Sequence, residues 1–221
     1  MELLFLRHGE SEGNALGILQ GRRDFALTQT GREQAARAGA WLRARAISWD
    51  VAYCSPLKRA RETAEIVSTV TETAMARPEP ELEEIDAGCL SGLTRDDIAR
   101  RFPEFLDRPL TSLADFSAFE GESYADVQAR ARRITAKLED LHREHAHRVL
   151  VVGHGGINFQ VVKALICEPV PRVCIFRMGN CTATLVRMRE RRGTYLGEVV
   201  WHVPLELMAG LSAEGDSGLF R

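Results

Sequence analysis

Two apolar runs, each ending in a histidine between glycines or beside one, constrain this chain more than anything else in it. Residues 4–9 read Leu-Phe-Leu-Arg-His-Gly, and residues 149–156 read Val-Leu-Val-Val-Gly-His-Gly-Gly. Short continuous apolar runs of this kind read as strands buried on both faces, as in a parallel sheet. In open α/β sheets ligands bind just outside the carboxyl ends of the strands. If the two strands are neighbours, His8 and His154 emerge on one edge and face each other. Arg7 beside His8 suits an anionic ligand: the guanidinium holds charge, and the imidazole can attack or move a proton.

The rest of the chain alternates strand and helix signals. Residues 2–7 read as a strand, and Thr30 to Arg45 as a helix opened by the pattern Thr30-x-x-Glu33. Val51 to Cys54 reads as a strand. Ser55-Pro56 then opens a helix to about residue 75, with Ser55 as its cap. Glu79 to Leu82 reads as a further strand. Residues 94–120, interrupted by Pro103 and Pro109, read as short helices in a long excursion that carries Phe102, Phe105, Phe116 and Phe119. Glu122 to about His145 has the pattern of an amphipathic helix, Arg148 to Val152 of a buried strand, and 157–167 of a helix. Runs 181–188 and 196–203 read as strands around a turn at Arg192-Gly193, and the tail beyond 208 as fraying. The expectation is one domain over 1–221. It is a three-layer αβα sandwich with a mostly parallel central sheet, over whose carboxyl edge the insertion at about 94–120 forms a small helical lid.

A chain of 221 residues with a net charge of −2 excludes little by size, but its balance does not suggest nucleic-acid binding. Local basic patches at Arg101, Arg108, Arg130, Arg132, Arg133 and Arg187–Arg192 read as solvated faces. Five cysteines, with no Cys-x-x-Cys pair, read as reduced buried thiols rather than a zinc site. No basic leader with an apolar core opens the chain, and no apolar run is long enough to span a bilayer. A cytoplasmic location is expected, without a membrane partner; a homodimer stays open. No Gly-x-Gly-x-x-Gly or Gly-x4-Gly-Lys-Ser/Thr loop occurs, so a nucleotide-binding domain of those types is excluded.

Two further segments fall at strand ends. Cys54-Ser55-Pro56-Leu57-Lys58-Arg59 places Arg59 on the first turns of a helix, near the sheet edge. Leu82-Glu83-Glu84-Ile85-Asp86-Ala87-Gly88 places a carboxylate there, suited to proton donation beside the arginines and histidines. Arg7-His8-Gly9, Asn14, Arg59, Glu84 and Gly153-His154-Gly155 together closely resemble the histidine phosphatase superfamily, which includes the cofactor-dependent phosphoglycerate mutases and many small phosphatases. Gly21-Arg22-x-Asp24-x-x-Leu27-Thr28-x-x-Gly31 and Gly121-Glu122-Ser123 extend the resemblance, which covers about residues 2–203.

The resemblance implies a phosphomonoesterase without cofactor or metal, acting on a small phosphorylated metabolite. It makes His8 the nucleophile, with Arg7, Arg59 and His154 on the phosphoryl oxygens and Asn14 adding a hydrogen bond. Glu84 becomes the acid and then the base; it stands four residues before Gly88, which selects it over Glu83. Ser11, Gln20, Gly21, Arg22 and Gly155 are expected to border the substrate, with Arg22 placed for a second anionic group. The mutases read Glu-Arg-His-Tyr-Gly at the acid, where this chain has Glu84-Ile85-Asp86-Ala87-Gly88. The missing Tyr, and the missing basic insertion after it, favour a phosphatase over a mutase. A non-catalytic phosphate-binding module is the remaining reading.

Overall fold

Along the first strand, β1 (Glu2–Arg7), Leu3 and Phe5 enter one core and Leu4 and Leu6 another, as alternation across a pleated sheet requires. The computed structural model describes residues 1–109, 112, 114–166 and 177–208. After β1 come a short helix α1 (Glu12–Ala15), β2 (Ile18–Leu19), α2 (Gln29–Ala44), β3 (Val51–Cys54), α3 (Lys58–Thr71), β4 (Arg77–Pro78) and β5 (Leu93–Thr94). They are followed by α4 (Arg95–Arg101), α5 (Pro103–Leu106), α6 (Tyr124–Arg143), β6 (Arg148–Gly153), α7 (Gly155–Ile166), β7 (Ala183–Arg191), β8 (Thr194–Val203) and α8 (Leu205–Met208).

The main sheet has the order β4-β3-β6-β1-β7-β8. Strands β4, β3, β6 and β1 run parallel, and β7 is antiparallel to β1 and to β8. On one face Leu4, Leu6, Leu150 and Val152 pack against Ala35, Ala38 and Leu42 of α2 and Ala64 and Val67 of α3. On the other, Leu3, Phe5, Val149 and Val151 meet Ala131, Ile134 and Leu138 of α6 and Ile157 and Val161 of α7. These three layers are the expected sandwich. β6 and β1 pair in parallel with Arg7 opposite Gly153, so both His-Gly turns leave the sheet at the same level.

The excursion has its own small core, in which Ile85, Ala87 and Leu90 meet Ile98, Phe116, Phe119 and Val127. The pair β2–β5 ties it to the segment after His8. Its phenylalanines pack on one another, and Arg108 lies 4.0 Å from the Phe105 ring centre. Arg101 also lies over the Phe102 ring, so these two arginines pack on the aromatic cluster.

Several boundaries differ from the sequence reading. Helix α2 is capped by Thr28, whose Oγ1 accepts from Gly31 N at 3.0 Å; Thr30 lies inside the first turn. Helix α3 starts at Lys58 without a side-chain cap; Ser55 Oγ accepts from Leu57 N at 3.3 Å just ahead of the helix and also contacts His154. The strand expected over Glu79–Leu82 is β4 at Arg77–Pro78 followed by a 3-10 turn at Pro80–Leu82, since Pro80 has no N–H for a ladder. Helix α6 is shorter at both ends, starting after a capping box of Ser123 and Asp126. Strands β7 and β8 meet at Arg192-Gly193, both with positive φ, as a tight two-residue hairpin needs. Cys54 and Cys181 are buried free thiols, but Cys89 is exposed; Cys167, Cys174, the end of the 157–167 helix and the tail beyond 208 lie outside the described residues. Among the described residues no helix is long and apolar enough to cross a membrane.

Candidate active site

His8 follows β1 and donates its N–H to Gly153 O at 3.0 Å, joining the two His-Gly turns directly. The His8 and His154 rings meet edge to face, with centres 5.1 Å apart. His8 Nδ1 lies 2.6 Å from Gly9 O. A carbonyl only accepts, so Nδ1 bears the proton and Nε2 keeps a lone pair. Burial, with the charges of Arg7 and then Arg59, holds the His8 pKa well below the usual histidine range, so the ring is neutral at neutral pH. Burial, Arg59 and His8 do the same to His154.

Arg59 is 1% exposed. Its Nε donates to His154 Nδ1 at 3.2 Å, Nη1 to Arg23 O at 2.7 Å and Nη2 to Gly21 O at 2.9 Å. The proton of neutral His154 therefore sits on Nε2, 2.8 Å from Ser55 Oγ, so both ring nitrogens are occupied. Burial lowers the Arg59 pKa to about 10, against the opposing pull of Glu84 and Asp24, and the group stays charged. Arg7 donates Nη1 to Met178 O at 2.7 Å, while its Nε is buried without a partner among the described residues. Gly155 lies against Arg7, since a Cβ there would stand 3.5 Å from Arg7 Nε, in ordinary contact.

Glu84 and Glu83 part company. The Glu84 carboxylate accepts from Gly156 N and Ile157 N, each at 3.0 Å, in the first turn of α7. It is close enough to both Arg7 and Arg59 to oppose the fall of their pKa values. Gly156 makes this seat possible: a Cβ there would come within 2.5 Å of Glu84 Oε1. Glu83 instead pairs with Arg22 at 3.4 Å.

The remaining expected residues fall into two sets. Asn14 belongs to the cluster. Its Oδ1 accepts from Ser11 N, Ser11 Oγ and Asn180 Nδ2, at 3.2, 3.0 and 3.1 Å, which leaves Nδ2 as its unused donor among the described residues. Half-buried Arg7, Asn14, Glu84 and Asn180 mark the side on which the cluster meets solvent, because His8 is only 2% exposed and His154 wholly buried. Ser11 and Arg22 are engaged internally. Ser11 is fully buried and caps α1, with its Oγ 2.8 Å from Gln20 Oε1, so its hydroxyl is taken, while the Gln20 amide nitrogen has no hydrogen-bond partner among the described residues. Gly21 supplies a carbonyl to Arg59. Arg22 faces Glu83, Glu122 and Asp86, so its charge is already met and the expected second-anion role is not supported by its surroundings.

Three residues with roles here were not singled out for them in sequence. Ser55, read as a helix cap, holds His154. Asn180 also donates to His8 O at 3.1 Å, tying the nucleophile turn to Asn14; its polar turn before a strand gives no spacing signal. Arg130, grouped with solvated basic patches, is 4% exposed and grips Glu122 by two bonds of 2.8 Å. It also donates to the carbonyls of Glu81 and Glu83, and Glu122 accepts from Asp86 N, so the pair braces the backbone that carries Glu84. Among the described residues no group of three or more His, Cys, Asp or Glu side chains is arranged to hold a metal ion.

Fold and site together define an α/β protein with paired histidines and paired arginines at the carboxyl edge of its sheet. The chain belongs to the histidine phosphatase superfamily (branch 1), which it matches over residues 3–199. It is 38% identical over 157 residues to a 2,3-bisphosphoglycerate-dependent phosphoglycerate mutase of Azorhizobium caulinodans, covering 69% of this chain and 75% of that one. It is 29% identical over 197 residues to phosphoserine phosphatase 1 of Hydrogenobacter thermophilus, covering 89% and 90%. Among solved structures, a mycobacterial glucosyl-3-phosphoglycerate phosphatase superposes with a TM-score of 0.77 at 28% identity, covering 90% of this chain and 96% of that one. The α-ribazole phosphatase of Shigella flexneri gives 0.74 at 25% identity, with 90% and 95% covered.

Proposed function

We propose that this chain hydrolyses phosphomonoesters of small metabolites through a phosphohistidine at His8. The observation that carries the reading is the His8 geometry: Nδ1 is committed to Gly9 O, which leaves the Nε2 lone pair within the field of buried Arg59 and half-buried Arg7. Nε2 attacks phosphorus and the ester P–O bond breaks. Arg7 and Arg59 offset the charge on the phosphoryl oxygens, with Asn14 Nδ2 as a neutral donor; preorganised donors of this kind usually supply the largest catalytic term. His154 joins them only by giving up one of its two present contacts. Glu84 gives a proton to the leaving oxygen, then takes one from the water that cleaves the phosphohistidine. Such acid–base catalysis is typically worth about 10²–10⁴ in rate.

A phosphoglycerate mutase is the second reading, favoured by the similarity to the Azorhizobium protein. Against it, Ala87 stands where the mutases have Tyr. Asp86 accepts from Gly88 N at 2.9 Å and faces Arg22, and as an acid it adds no cation to retain a bisphosphate. The named phosphatases are matched over more of this chain than that mutase.

One assay separates these readings. The protein is incubated with a panel of phosphomonoesters that includes 3-phosphoglycerate, with His8→Ala as the blank. Release of inorganic phosphate, with an acid-labile phosphoryl group on the His8 peptide, supports the hydrolase. Appearance of 2-phosphoglycerate in its place supports the mutase. Turnover surviving in His8→Ala rejects both, and absence of any phosphorylated intermediate favours a binding module.

A further inference from the structure

We propose that Gln34, on α2, sets the tautomer of His8 and is a positioning residue for attack through Nε2. The inference rests on the reading of His8 as the nucleophile. Each backbone N–H from His8 to Ser11 has its own acceptor. His8 N donates to Gly153 O at 3.0 Å and Gly9 N to Thr63 Oγ1 at 3.0 Å. Glu10 N donates to Gln34 Oε1 at 2.8 Å and Ser11 N to Asn14 Oδ1 at 3.2 Å. Only one of these bonds lies on the peptide unit whose carbonyl takes the His8 proton. The group between Gly9 and Glu10 is planar. Its C=O accepts from His8 Nδ1 and its N–H donates to Gln34, so rotating one end moves the other.

The restraint matters because Gly9 has no side chain to limit rotation on its own. Nor can it have one, since a Cβ there would stand 2.4 Å from Gly31 O. The orientation of the carbonyl is therefore imposed from outside, by a half-buried side chain on a helix whose inner face, Ala35, Ala38 and Leu42, is locked in the core. If the carbonyl turns away, Nδ1 loses its acceptor. A neutral imidazole in water prefers its proton on Nε2, and that tautomer has no lone pair at the attacking nitrogen. The amide orientation of Gln34 is not ambiguous, because Glu10 N–H is a donor and only Oε1 can accept from it.

The test is long-range 1H–15N NMR of His8 together with steady-state kinetics on the full chain. In the wild type the proton is expected on Nδ1. Gln34→Leu, close in size but without an acceptor, is expected to move His8 toward the Nε2–H form. It should lower kcat about tenfold, the equivalent of one lost hydrogen bond, with KM nearly unchanged. Gln34→Glu keeps an acceptor and is expected to restore both the Nδ1–H signal and most of the activity. Gln34→Ala is the second acceptor-free variant, should leucine prevent folding. A folded acceptor-free variant that keeps His8 on Nδ1, or loses activity with its tautomer unmoved, overturns the role of Gln34. Failure of Gln34→Glu to restore the signal does the same. Full activity in His8→Ala overturns the nucleophile reading instead, and is visible independently of the tautomer.

Discussion

Replacing Gly156 with alanine should damage catalysis while sparing the fold. Gly156 is the second residue of α7, where alanine is favoured over glycine by up to about 1 kcal/mol. The added Cβ would stand 2.5 Å from Glu84 Oε1 and 3.0 Å from Ile85 Cδ1, whereas ordinary contact begins at 3.4 Å. The atom that must yield is the end of a flexible side chain, so the carboxylate retreats by about 0.9 Å and weakens its bonds to Gly156 N and Ile157 N. Those losses offset the helix gain, and the net change in stability should stay within about 1 kcal/mol. Catalysis is less forgiving: misplacing a reacting group by about 1 Å can cost on the order of 10²-fold. The loss should be largest with an alkyl phosphate, whose leaving oxygen needs the proton, and smaller with p-nitrophenyl phosphate, whose phenolate leaves without one. The assay is kcat for both esters beside a thermal melt. Wild-type turnover of the alkyl ester, or equal losses on both esters, would refute the reasoning that Gly156 serves the seat of a proton donor.

Two further outcomes follow from buried charge. Arg130→Met leaves Glu122 with only its weaker contacts to Arg22 and Asp86 N. It should cost about 3 kcal/mol in urea unfolding, the low end for breaking a buried pair. The double change with Glu122→Gln should recover part of that loss, and no recovery would mean that the pair does not act as a unit. Acid should destabilise the fold through His8 and His154, both held neutral by burial and neighbouring cations. Unfolded histidines bind protons below about pH 6.5 while these two do not, so stability falls as pH drops through that value. The fall is read from unfolding midpoints at pH 7 and 5.5. Replacing both with glutamine should flatten the curve over that range, and an unchanged slope would show that other groups carry it.

Local chemistry made the strand ends legible. Arg7, His8 and His154 could be placed because an apolar run running into glycine reads as a buried strand leaving a sheet. Parallel neighbours then bring the turns at their carboxyl ends to one edge. Asn14 and Glu84 came from family resemblance, and the contacts bring both to the cluster. Ser-Pro before a helix reads as a capping pattern, but the Ser55 hydroxyl takes a local N–H only from Leu57, at 3.3 Å, and also meets His154, 99 residues away in sequence, at 2.8 Å. Arg130 was misread because a basic residue on an amphipathic helix gives no sign of whether its face meets solvent or an acid. Ser11 and Arg22 lie near the site in sequence, but their polar atoms are used within the protein's own loops.

Residue order alone determined the layered α/β class and the strand ends that carry Arg7, His8 and His154, because strand burial, helix periodicity and glycine turns are short-range properties. What each polar atom does there was decided only by the packed chain. The tautomers of His8 and His154, the separation of Glu84 from Glu83 and the bracing by Arg130 and Gln34 depend on hydrogen bonds between segments far apart in sequence. No local pattern encodes the partner of such a bond; it exists only once the cores on both faces of the sheet have brought the helices into contact with it.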